Sequence, residues 1–213
     1  MLHAQSTASA KRQALRARLA SGELVRMPGA FTPLSAKLIE EKGFEGVYIS
    51  GAVLSAELGL PDIGLTTLTE VAQRGGQIAR MTELPTLIDA DTGFGEPMNV
   101  ARTVQVLEDA GVSGLHLEDQ VNPKRCGHLD GKAVVDEATA LKRIRAAVEA
   151  RRDPEFLIMA RTDIRGVEGS TPRRIVRRSS WMPAPMRSSR RRWPTSPSSR
   201  LSVRPSTCRS WRT

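Results

Sequence analysis

Between Leu115 and Lys132 the chain reads L-H-L-E-D-Q-V-N-P-K-R-C-G-H-L-D-G-K, and no other stretch gathers so many reactive side chains. An apolar run, Val112 to Leu117, ends in Glu118 and Asp119, and the residues that follow present Lys124, Arg125, Cys126 and His128. That is the pattern of a strand delivering chemistry at its C-terminal end. A thiol set between two cations and an imidazole is biased towards thiolate, because nearby positive charge stabilises the anion. A solvated basic turn with one incidental cysteine fits K-R-C-G-H equally well on its own, so the rest of the chain decides.

Asp89 and Asp91, two residues apart on extended chain, can point to one side. With Glu118 from the next strand they form a carboxylate nest that suits Mg²⁺, which takes one or two carboxylates and keeps several waters. The other account of these acids is loop and helix capping. Arg161, at another strand end, offers a bidentate fork for a carboxylate or an internal ion pair to Asp163 or Glu118. His128 either holds substrate or orients its loop, whereas His116 alternates into the strand and reads as a packed histidine. The small residues Ser50, Gly51 and Ala52 would let a ligand approach the backbone.

The elements that must position these groups follow from the apolar pattern. Strands are expected at Val25–Pro28, Gly46–Ser50, Thr86–Asp89, Val112–Leu117 and Phe156–Ala160. A short amphipathic helix spans Lys11–Leu19. Further helices span Pro33–Lys42, with Leu34, Leu38 and Ile39 on one stripe, Asn99–Ala110, and Glu137–Arg151, with Leu141, Ile144 and Val148 repeating. Thr67-x-x-Glu70 is a capping box opening a helix to about Met81, and Leu58–Gly64 is a loop. The strands are continuous apolar runs, as in a parallel sheet buried on both faces. Every polar cluster falls just after a strand, which is where both (β/α)8 barrels and doubly wound sheets build their sites. The fold class is therefore α/β. The barrel is preferred because no G-x-G-x-x-G turn follows the first strand.

The formal charge of the 213 residues is +9. Ser170–Thr213 holds 12 Arg and no Lys, Asp or Glu, which leaves −3 for residues 1–169. The expected division is the N-terminal part of a barrel over 1–169, about five β/α units, and a basic tail over 170–213 whose composition is that of disorder. Read from another class, that tail is an arginine-rich nucleic-acid arm. The genetic code offers a sharper account. Codons for Trp181–Ser188, read two bases later, are compatible with D-A-G-A-D-A, a helix-to-strand junction, so a frameshift near Gly166–Gly169 is expected. An out-of-frame tail would leave the barrel unclosed and the chain inactive. Neither a secretory leader nor an apolar run of about 20 residues is evident, so a cytoplasmic location without membrane association is expected. A structural disulfide between Cys126 and Cys208 is not.

V-Y-I-S-G-A, L-G-L-P-D, D-A-D-T-G-F-G, H-L-E-D-Q, K-R-C-G-H and M-A-R-T-D, in that order and spacing, resemble the isocitrate lyase and phosphoenolpyruvate mutase superfamily, and within it the methylisocitrate lyases. The likeness runs from about Leu24 to Gly169. It implies a (β/α)8 barrel and Mg²⁺-dependent scission of 2-methylisocitrate, a small tricarboxylate, to pyruvate and succinate in propionate catabolism. By the same resemblance Asp89, Asp91 and Glu118 hold the metal and Cys126 on a mobile loop is the proton donor. Tyr48 takes part in deprotonating the hydroxyl, though strand packing accounts for it equally. Ser50, Gly51, Ala52, Asp62, Gly127, His128 and Arg161 match positions that bind substrate. Ala52 departs from the second glycine usual there, and its methyl group narrows the pocket. The resemblance also implies a homotetramer for a full-length chain, with no nucleic-acid partner. The alternative within the superfamily is an enzyme acting on an oxaloacetate-like or phosphonate substrate.

Overall fold

The computed structural model describes residues 3–168. The expected boundary at 169/170, the basic tail and its reading frame lie outside the described residues.

Helix α1 (Ala8–Ser21) starts where the Thr7 side chain accepts from Ala10 N–H and stops at Gly22, whose φ of 77° a side chain would resist. It leads to β1, only Gly29–Ala30. The strand expected at Val25–Pro28 is thus displaced. Pro28 has no N–H to give a ladder, although its carbonyl accepts from Tyr48 N–H at 2.9 Å, and pairing begins at Gly29. Helix α2 (Pro33–Glu41) is opened by a reciprocal Thr32–Ser35 capping box and buries Ala36 and Ile39. Of the expected stripe only Ile39 is buried. Leu34 and Leu38 are exposed, because contact with the sheet is made through small Ala36 and the two leucines fall on the far side.

Strand β2 (Val47–Ile49) runs into α3 (Gly51–Glu57), a helix absent from the sequence reading. The Thr67–Glu70 capping box does open α4 (Leu68–Ala79). There follow β3 (Thr86–Asp89), α5 (Pro97–Asp109), β4 (Gly114–Glu118), α6 (Glu137–Ala150), β5 (Leu157–Arg161) and α7 (Ile164–Glu168). All five strands are parallel and lie in the order β1-β2-β3-β4-β5. Each strand lies beside its predecessor with no reversal. A doubly wound sheet has a point where the order turns back, so this is the winding of a (β/α)8 barrel. The registers Asp89↔His116 and Glu118↔Arg161 set the polar strand ends side by side. Beneath them lies one apolar core in which Ile88, Leu115 and Ile158 meet Ile78, Val100, Val104, Leu107 and Ala147 of the helices.

Helix α1 closes the opposite end of the sheet with charged groups. Lys11 Nζ donates to the carbonyls of Ala79 and Thr82. Arg12, 5 % exposed, donates to Val112 O (3.1 Å), Glu108 O (2.7 Å) and Asp153 Oδ2 (2.9 Å), and its guanidinium lies 5.3 Å from the Phe156 ring centre. Arg12→Met keeps the packing volume but strands those acceptors. Removing one partner of a buried pair costs about 3–5 kcal/mol. Asp153 retains some solvent, so a loss near the lower end is expected in a urea unfolding titration.

Candidate active site

The site begins with a turn that only a few residue types can make. Asp91 has φ 47° and donates its N–H to Asp89 Oδ1 at 3.0 Å. Among residues with a side chain, Asp and Asn enter that left-handed region most readily, so the backbone itself restricts position 91. Gly51, which opens α3, answers Asp89 from the neighbouring strand. A Cβ at 51 would come within 2.9 Å of Asp89 Oδ2, so glycine leaves the carboxylate its place. Ser50 is the N-cap residue of α3 but makes no side-chain cap bond. Ala52 is half-buried in the first turn.

Behind the acids lies a polar pair. Tyr48 Oη is 2.7 Å from His116 Nε2, the two rings stack at 5.6 Å, and His116 Nε2 is 3.7 Å from Asp89 Oδ1. Burial, opposed by Asp89, lowers the pKa of His116. Burial, with Asp89 and Glu118 adding to it, raises that of Tyr48. The contact therefore joins a neutral phenol to a neutral imidazole, and the imidazole tautomer sets which of the two donates. His116 is packed, as its strand position predicts, but it also belongs to the site.

Glu118 is 3 % exposed, and its carboxyl is pushed up to about 8 by burial, which outweighs the pull of Arg161, with Asp89 and Asp91 adding to the rise. Asp91 is pushed up to about 6 by burial and then by Asp89, against the pull of Lys124. Glu118 Oε1 and Asp91 Oδ1 are both buried without a hydrogen-bond partner. Glu118 Oε1, buried with neither hydrogen bond nor ion pair, and Asp91 at the neighbouring strand end offer the carboxylate oxygens that a hard divalent cation takes. Among the described residues no group of three or more His, Cys, Asp or Glu side chains forms a ready cage. Asp91 and Glu118 match the one or two carboxylates that Mg²⁺ takes while keeping several waters.

Lys124, read from the sequence only as a flanking cation, is a member of this site. It is 3 % exposed, ion-paired to Asp62, and its Nζ lies 2.7 Å from Asp91 Oδ1, near enough for an ion pair but not aligned for a hydrogen bond. Burial works against its charge, yet Asp91 and Asp62 more than compensate and raise its pKa. The one signal in the sequence was a lysine two residues before Cys126. Asp62 also anchors the cysteine loop, since its carbonyl accepts from Cys126 N–H at 3.0 Å. Cys126 is half-buried and exposed His128 approaches it, with Sγ and Nδ1 3.6 Å apart.

Arg161 faces Glu118 Oε2 at 3.4 Å and Asp163 Oδ2 at 3.5 Å. Burial opposes its charge, but those acids raise its pKa overall. A Cβ at Gly127 would fall 2.2 Å from Arg161 Nη2, so the cysteine loop rests on the guanidinium. Neither Cys126 nor His128 makes a hydrogen bond or ion pair to Asp89, Asp91 or Glu118 among the described residues.

A barrel-wound sheet with acids, a buried lysine and a cysteine loop at its C-terminal end defines an α/β enzyme of barrel type. A family model described as phosphoenolpyruvate phosphomutase matches residues 15–184, and the chain belongs to that family, within the phosphoenolpyruvate mutase and isocitrate lyase superfamily. Over 159 residues it is 70 % identical to "Probable 2-methylisocitrate lyase 2" of Corynebacterium glutamicum, covering 75 % of this chain and 52 % of that one. Among solved structures it is similar to oxaloacetate acetylhydrolase in complex with 3,3-difluorooxalacetate, with TM-score 0.72 and 39 % identity, over 77 % of this chain and 57 % of the other. It is also similar to a phosphonopyruvate hydrolase complexed with oxalate and Mg²⁺, with TM-score 0.70 and 36 % identity, over 75 % and 55 %. The chain spans about half the length of the curated relatives it matches.

Proposed function

We propose that these residues form part of the active site of a Mg²⁺-dependent carbon–carbon lyase that cleaves 2-methylisocitrate to pyruvate and succinate. The observation that carries the reading is the strand-end constellation. Buried Glu118, whose Oε1 has no partner, faces a guanidinium on which a cysteine loop rests, and buried Asp91 stands at the neighbouring strand end beside Lys124. The high identity to a protein named as a 2-methylisocitrate lyase supports the choice of substrate. Asp91 and Glu118, with Asp89 behind them, would hold the cation, which when bound polarises the substrate hydroxyl and its neighbouring carboxylate as a Lewis acid.

The protein's own groups do the rest. Arg161, offering a planar fork, binds a carboxylate of the substrate. Ser50, Gly51 and Ala52 at the start of α3, with Gly127 and His128 on the loop, shape the pocket around it. Lys124 fixes Asp91 and Asp62 and brings positive charge to the anionic substrate. Tyr48 takes the proton of the tertiary hydroxyl as the bond between the hydroxyl-bearing carbon and its neighbour breaks, and His116 Nε2 is placed to accept the proton that Tyr48 passes back. The electron pair of the broken bond stays on the succinate fragment as a carboxylate-stabilised carbanion, and the Cys126 thiol donates the proton that quenches it. For the whole-length protein we propose the homotetramer that the family resemblance implies, and a cytoplasmic location. Among the described residues no helix is long and apolar enough to cross a membrane.

With the reading frame restored, pyruvate release from 2-methylisocitrate is expected to depend on Mg²⁺, to stop with a chelator, and to exceed glyoxylate release from isocitrate; the 213-residue chain itself is expected to be inactive. Hydrolysis of oxaloacetate or phosphonopyruvate in its place would overturn the substrate and move the protein towards the two hydrolases whose structures it resembles.

A further inference from the structure

Gln120 stands two residues beyond Glu118, is 1 % exposed and carries no charge, yet it holds more of the site together than any other neutral side chain. Its Oε1 accepts from Arg125 N–H at 2.8 Å, and its Nε2 donates to Arg125 O at 2.9 Å. One side-chain amide thus pairs with both polar groups of a single loop residue, as a neighbouring strand would. The second hydrogen of Nε2 reaches Asp163 Oδ2 at 2.8 Å. The backbone carbonyl of Gln120 accepts from Arg143 Nη1 at 2.9 Å, which pins the residue from the helix side. Every donor and acceptor of the amide head is engaged on groups outside its own strand except one lone pair of Oε1.

The partners give that arrangement its consequence. Arg125 immediately precedes Cys126, and Asp163 is the carboxylate against which Arg161 Nη2 rests at 3.5 Å. Gly127, one residue past the cysteine, packs on the same guanidinium. The end of β5 and the base of the cysteine loop therefore meet at one amide. We propose that Gln120 is a positioning residue that couples the two, holding the Cys126 loop in register with Arg161 and transmitting to the loop any shift of Asp163 that accompanies rearrangement of the Arg161 ion pairs. An apolar residue of similar length would fill the space but hold neither partner. A glutamate would set a carboxylate against Arg125 O and Asp163. The role rests on the proposed function only in treating Cys126 and Arg161 as working groups.

The test uses the 213-residue chain and the reactivity of its thiol. Iodoacetamide labelling of Cys126, followed by mass spectrometry of the peptide that contains it so that Cys208 is read separately, is compared between the parent and Gln120→Leu. Amide hydrogen exchange is measured alongside. Releasing several hydrogen bonds at one point is expected to accelerate labelling of Cys126 about tenfold, with faster exchange confined to residues 120–135 and to the end of β5. Labelling at the parental rate overturns the proposal, as does faster exchange spread equally through β2 and β3, which would make Gln120 an ordinary core residue. Should Gln120→Leu fail to fold, Asp163→Ala cuts the same connection from its other end. It is expected to accelerate labelling in the same direction, and an unchanged rate there overturns the proposal. None of these readouts requires turnover, so a wrong substrate for the enzyme and a wrong role for Gln120 give different results.

Discussion

In the protein with its reading frame restored, Cys126→Ser is expected to bind substrate almost as the parent does and to turn it over at least about a hundredfold more slowly, the lower range for loss of a general acid. The loop backbone does not depend on the thiol. Cys126 N–H donates to Asp62 O at 3.0 Å and Cys126 O accepts from Leu129 N–H at 2.8 Å, whichever side chain is carried. Among the described residues the one hydrogen-bonding contact of Sγ is with His128 Nδ1, at 3.6 Å. A hydroxyl fits the same space but is a far weaker acid, so the carbanion would wait longer for its proton. Steady-state kinetics should show the loss in kcat with KM nearly unchanged. An equal loss of affinity would make Cys126 a loop-packing residue.

Asp91→Asn is expected to weaken Mg²⁺ binding by more than about a hundredfold, since removing even a group that only orients a metal ligand costs about 10–100-fold in affinity. Asparagine is the informative choice. It tolerates the φ of 47° at this position, where alanine would add backbone strain to the loss of charge. Its side chain still fills the space against Lys124, but no longer offers an anionic oxygen to a cation. Calorimetric titration of Mg²⁺ into the two chains reads the effect directly. Unaltered affinity would move the metal onto Asp89 and Glu118 and leave Asp91 as the partner of Lys124 alone.

Much of the framework was legible because its signals are local. The Thr67–Glu70 capping box, the apolar runs at Thr86–Asp89 and Leu115–Leu117, and polar residues just past each strand need no knowledge of distant partners. What escaped depends on contact. Helix α3 starts with Gly51-Ala52, small residues that read as loop, and only packing against Asp89 shows why glycine is required. On α6 the residues most deeply buried are Ala140, Arg143 and Ala147, while Ile144 and Val148 border the core. Small residues mark the closest approach there, whereas an apolar-period reading favours the large ones. Lys124 could not be assigned, because a basic run looks solvated until Asp62 and Asp91, 62 and 33 positions earlier, are seen to meet it.

The contact between Arg12 and Asp153 spans 141 positions of chain, and it bears on synthesis as well as on stability. The five strands add in order, each to the one made just before it, so a ribosome could release them into a growing sheet one unit at a time. Arg12 leaves the ribosome first but cannot complete its set of acceptors until Val112, and then Asp153, have emerged. Until then its guanidinium stays in water, and α1 is held only by what Lys11 and Leu15 find in Ala79, Thr82 and Leu87. Full closure of that end of the sheet is therefore the last event of the first five units, and a nascent chain halted before Asp153 would carry a loosely held basic helix more accessible to proteases and chaperones.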